Sequence, residues 1–143
     1  MSCKTKNYKS AQVALNTVAQ SIVAAGTTVE ILGSRLTNTG CSIHTDNAGF
    51  KVNASGLYNI RYVFTFTAEA AGVLTAQLYK DGIALPCALS QDTVEAGSTY
   101  TIAIEAPALV IGTCCNICPT ITATVGGVAG TLTRVCASAV RLA

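Results

Sequence analysis

Leu57-Tyr58-Asn59-Ile60-Arg61-Tyr62-Val63-Phe64-Thr65-Phe66-Thr67 is the stretch whose reading decides the fold. Its even positions are Tyr58, Ile60, Tyr62, Phe64 and Phe66, while the odd positions include Asn59, Arg61, Thr65 and Thr67. A period of two with a single aromatic face predicts a strand that packs on a core from one side only. Just before it, Phe50 and Val52 alternate with Lys51 and Asn53, and Ala54-Ser55-Gly56 makes a turn.

Downstream the same grammar repeats. Glu69 to Gly72 turns the chain into Val73–Tyr79, where Leu74, Ala76 and Leu78 point one way. Lys80-Asp81-Gly82 follows, and Asp-Gly between alternating runs predicts a two-residue hairpin, because glycine accepts positive φ without steric cost. Ile83–Leu89 returns, with Pro86 restricting that run to an edge or a bulge. Glu95-Ala96-Gly97 turns into Ser98–Ala106, with Tyr100, Ile102 and Ile104 inward; Pro107 is expected to end the run, with a short strand beyond it at Ala108–Ile111. Thr120–Val125 alternates again, Gly126-Gly127 marks a hairpin, and Leu132–Leu142 closes the chain. Upstream, Val13–Val23 has an ambiguous period and is read as a strand or extended arm. The expected architecture is an all-β jelly-roll sandwich of about eight to ten antiparallel strands. It comprises an N-terminal arm at residues 1–12 and one domain at 13–143.

Half of the 143 residues are hydrophobic, yet 6% are aromatic and none is Trp, so the apolar content comes mainly from Ala, Val, Ile and Leu. Charged residues make up 11%, against roughly 25% in an average soluble domain. A free monomer needs a well-charged surface to avoid apolar patches, so part of this surface is expected to be buried against copies of the same chain. The net charge of +2 argues against nucleic acid as a partner. Lys4, Lys6 and Lys9, with Tyr8 among them, read as a solvated docking arm instead. No apolar run approaches the roughly 18 residues of a membrane span. Asn16, Thr17, Gln20 and Ser21 interrupt Val13–Ala25 too often for a signal-peptide core.

The stretch from Phe50 to Tyr62 resembles the tumour-necrosis-factor-like and complement-type jelly roll in its small bacterial and phage versions. These carry an apolar pair, a turn ending in Gly, and a strand opening with Tyr. Leu78-Tyr79-Lys80-Asp81-Gly82-Ile83-Ala84-Leu85-Pro86 is similar to that family as well, and the resemblance covers about Cys41 to Ala143. It implies a compact homotrimer in which the aromatic-faced strand and the C-terminal strand line the threefold axis. Tyr58, Ile60, Tyr62, Phe64 and Phe66 would then serve both core and oligomer contact. It further implies a virion structural protein of a bacteriophage, made in the host cytoplasm and carried on the virion surface. There it would decorate the capsid or tip a head or tail fibre, with the major capsid protein or another surface structural protein as partner. A receptor- or glycan-binding adhesion domain of a phage tail is the alternative. An exosporium structural protein on a spore surface is another, although the stalked forms there carry Gly-X-Y repeats that this chain lacks. The family is not enzymatic and brings neither catalytic residues nor a cofactor.

The residues agree with that absence of chemistry. His44, the single histidine, has Asp46 and Ser42 nearby in sequence. Alternate residues of one strand do not assemble a triad, so a solvated turn is expected. The seven cysteines are Cys3, Cys41, Cys87, Cys114, Cys115, Cys118 and Cys136. Cys115 and Cys118 have the two-residue spacing of a zinc knuckle, but no second pair with that spacing exists, so they are weak metal candidates. Reduced thiols, disulfides within or between subunits, and a metal site all stay open.

Overall fold

The computed structural model describes residues 10–39, 42–110 and 119–142. Twelve strands occur among them: β1 (Ala11–Asn16), β2 (Gln20–Ile22), β3 (Thr27–Thr28), β4 (Ser34–Thr39), β5 (Ile43–Thr45), β6 (Gly49–Val52), β7 (Gly56–Ala68), β8 (Gly72–Lys80), β9 (Ile83–Val94), β10 (Thr99–Val110), β11 (Thr120–Gly126) and β12 (Gly130–Arg141). Setting aside the two- and three-residue pieces β2, β3 and β5 leaves nine, within the expected number.

The strands form two antiparallel sheets. Sheet I runs β10-β7-β12-β1-β4, with β2 beside the far end of β12; sheet II runs β5-β6-β11-β8-β9, with β3 beside β11. β7 therefore pairs with β10 on one side and β12 on the other, both distant in sequence. Its alternation explains why it can hold that central place. Tyr58, Ile60, Tyr62, Phe64 and Phe66 are all buried between the sheets, and β8, β10 and β11 answer with Leu74, Ala76, Leu78, Ile102, Ile104, Ile121, Ala123 and Val125. From sheet II, Phe50 meets Tyr62 edge-on, ring centroids 6.1 Å apart at 72°, and Tyr62 lies 5.8 Å from Phe64. Such pairs add about 0.5–1.5 kcal/mol beyond the area they bury.

Burial in this interior corrects one implication of the resemblance. The aromatic face of β7 is the sandwich core and is not available to line an axis between subunits. Any contact between copies through sheet I must use the opposite, odd-numbered face.

Three local features place the surfaces. At the β8–β9 hairpin Asp81 and Gly82 have φ of 51° and 79°, as a type I′ turn requires, and Asp81 Oδ1 accepts from the Thr120 N–H at 2.9 Å, tying the turn to β11. Beyond the hairpin the register slips between Gln77 and Tyr79. The Gln77 amide donates to the carbonyls of Leu85 (2.6 Å) and Ala88 (3.2 Å), holding a bulge around Pro86. Pro107 does not end a strand: β10 runs unbroken through it, in register with Asn59. β10 is an edge strand, where a missing N–H is tolerated, and Ile102, Ile104, Ala106, Ala108 and Val110 stay buried without a break in parity.

The two buried tyrosines of β7 differ. The Tyr58 hydroxyl donates to the Ala54 carbonyl at 2.8 Å, whereas the Tyr62 hydroxyl is buried with no hydrogen-bond partner among the described residues. An unsatisfied buried polar group costs about 1–3 kcal/mol. Tyr62→Phe is accordingly expected to raise stability by about 1–2 kcal/mol in urea titrations at neutral pH. Burial also pushes the Tyr62 phenol well above its ordinary value of 10.0. The unfolded chain then releases that proton at alkaline pH while the folded chain keeps it. The stability is present below the unfolded value and lost as pH rises past it, and Tyr62→Phe should reduce the alkaline loss.

Candidate functional site

The polar groups that could do chemistry do not come together. His44 is exposed on β5, and Asp46 is exposed with a 4.0 Å ion pair to Lys51. Ser42 is buried elsewhere, against Ser10. No three His, Cys, Asp or Glu side chains among the described residues are grouped as metal ligands. Cys87, exposed on β9, and Cys136, half-buried on β12, carry free thiols. Cys3, Cys41, Cys114, Cys115 and Cys118 lie outside the described residues, and so do Lys4, Lys6, Tyr8 and Lys9 of the arm.

The molecule has two unlike ends. At one, here the base, the first and last described residues meet. The Arg141 backbone N–H donates to the Ser10 carbonyl at 2.9 Å and the Leu142 N–H to that of Leu57 at 2.7 Å. Ser10 and Ser42 hydroxyls are 2.7 Å apart. The Arg141 guanidinium donates to Ser42 Oγ at 3.3 Å and to the Ser55 carbonyl at 2.8 Å. Strand β1 thus begins at Ala11, and Ser10 and Gln12 are buried, so the last residues assigned to the arm at 1–12 already belong to the sandwich.

At the opposite end, the apex, four turns are stitched together by backbone hydrogen bonds. Gly127 N–H donates to Ala24 O (2.8 Å), Glu69 N–H to Ala129 O (2.9 Å), Ala68 N–H to Ser98 O (3.0 Å) and Gly97 N–H to Ala68 O (2.8 Å). Residues 23–26, 69–71, 95–98 and 127–129 contain Ala, Val, Gly, Ser and two glutamates, with no aromatic, Asn or Asp.

The remaining surface of note is the outward face of sheet I. Register places three rows across it: Leu15–Cys136–Val63–Ala103, Val13–Ser138–Arg61–Glu105 and Ala11–Val140–Asn59–Pro107. All twelve are half-buried or exposed, and two are charged. Sequence reasoning missed this face. Its rows join residues up to 129 positions apart, with Ala11 beside Val140 and Leu15 beside Cys136, so only the strand order reveals them.

No family model matches the chain, and no curated protein matches it. Solved structures do. Murine APRIL at pH 5.0 superposes with a TM-score of 0.72 at 10% identity, over 94% of this chain and 100% of that one. The fold is the tumour-necrosis-factor and complement-type jelly roll. The globular domain of the zebrafish complement 1qA protein matches with a TM-score of 0.58 at 10% identity, over 90% of this jelly roll and 94% of its own chain. PRD1 vertex protein P5 matches with a TM-score of 0.59 at 13% identity, over 94% of this chain and 73% of P5. These likenesses concern the jelly roll alone; none of the three is named as an enzyme.

Proposed function

We propose that this jelly roll is a trimeric structural module on the surface of a bacteriophage virion, decorating the capsid or tipping a fibre. The observation that carries the reading is the polarity of the sandwich. The described residues begin and end at the base, so the segment preceding Ser10 can reach a supporting lattice while the apex faces away from it. Likeness to a vertex protein supports a virion setting. The small charge content supports burial of part of the surface between copies.

An adhesion domain is the competing reading. Recognition of a receptor or glycan favours aromatic and Asn/Asp side chains clustered at one end, and the apical turns hold none. Decoration is the better fit, with a bare apex rich in alanine.

In this reading the arm docks the trimer onto the major capsid protein or another surface structural protein, with Lys4, Lys6, Tyr8 and Lys9 as its contacts. The lysines steer it toward an acidic surface, an attraction that weakens with salt. Deleting Met1 to Lys9 is expected to leave the fold and the trimer intact by light scattering while abolishing incorporation into particles. Full decoration by the truncated protein would move docking to the jelly roll itself. A mass near 14.6 kDa at every concentration of the intact chain would end the trimer reading.

A further inference from the structure

Arg61 stands in the middle row of the outward face of sheet I, exposed and directly across from Glu105. Side chains so placed are near enough to pair. Here Glu105 Oε2 instead accepts from the Asn59 amide at 3.0 Å. Among the described residues, Arg61 has neither an ion pair nor a side-chain hydrogen bond. Around it lie Val13, Val63, Ser138, Val140 and Ala103, all neutral. Covering this face with an apolar partner would strip water from the guanidinium while Glu105 stays bonded to Asn59, which is unfavourable unless the partner brings a carboxylate.

We propose that a second copy of this chain covers the outward face of sheet I, and that Arg61 of each copy pairs with Glu105 of the next. This rests on the trimer reading above and adds to it the residues that fix how the copies meet. The argument is one of self-complementarity. Opposite charges stand side by side on one face, with Glu105 on the edge strand β10. Rotation about an axis through that spot sets the arginine of one copy against the glutamate of its neighbour. The signs then alternate around the ring, and the ring closes. A partner of another kind would have to supply its own carboxylate to Arg61 and its own cation to Glu105; a copy supplies both.

The test is a charge-exchange cycle, with Arg61→Glu, Glu105→Arg and the double variant, read as mass against concentration by light scattering. Both side chains are exposed in the single chain, so folding of the subunit is expected to persist and is checked by circular dichroism. Each single exchange is expected to raise the trimer dissociation constant by roughly a hundredfold, and the double exchange to return it to within about tenfold of the original. Arg61→Gln and Glu105→Gln give the same reading, with losses only, should an exchanged variant not fold. A wild-type trimer whose mass is unmoved by the single exchanges overturns the pairing and leaves the trimer standing. Failure of the double exchange to recover overturns it too. A wild-type monomer at all concentrations overturns the trimer reading, and the pairing with it.

Discussion

Phe64→Ala is expected to lower the stability of the domain by about 3–5 kcal/mol, a large part of the roughly 5–15 kcal/mol that a domain of this kind possesses. Phe64 is 1% exposed and lies at the middle of sheet I, in register with Ile102 on one side and Val135 on the other. Its ring also packs on Tyr62. Truncation leaves a cavity that neighbours fixed on both flanks by backbone hydrogen bonds cannot easily close, which puts the cost toward the upper end of that range. Phe66→Ala and Tyr58→Ala should behave alike, Tyr58 adding the loss of its hydrogen bond to Ala54. Thermal melts are expected to shift down by about 10–20 °C for each. Little change in all three would mean that the even-numbered face of β7 is not the core.

The second large effect concerns backbone rather than side chain. Gly127 has φ +87°, and a Cβ placed there would run into the carbonyl oxygen of Val73. An L residue at that φ costs roughly 1–3 kcal/mol, and displacing a packed strand costs a further 1–3 kcal/mol or so. Gly127→Ala should therefore destabilise by about 2–6 kcal/mol. Gly97 provides the internal control. It has φ +82° but open space around its Cβ position, so Gly97→Ala carries the conformational cost alone. Equal losses from the two substitutions in urea titrations would refute the close approach to Val73.

How much of this was legible beforehand depends on what kind of signal carries each feature. The placement of β7, β8 and β11 follows from period two, because each has one face against the core and one away from it. The Asp81-Gly82 turn follows from local chemistry. Pro107 misled because proline breaks a strand only where its N–H is needed, and edge position is a property of the sheet rather than of the segment. The same holds at the start of the chain: Ser10 and Gln12 look like tail residues until Ser42, Thr45 and Arg141 surround them. For the surface that matters most, alternation separates two faces without saying what covers each. The aromatic one was assigned to both core and axis, and the sandwich takes it for the core. Arg61 and Glu105 are 44 residues apart and become neighbours only through the pairing of β7 with β10.

The meeting of the first and last described residues at the base has a consequence for how such a module can be moved about. Ser10 and Arg141 are joined by a backbone hydrogen bond, so the sandwich enters and leaves at one point. A unit with that property can be spliced into a surface loop of another protein without prising the loop open, and its own ends can be joined by a short linker and the chain reopened at Asp81-Gly82. The base then acts as a plug, through which one coding segment can carry a whole sandwich from one scaffold to another.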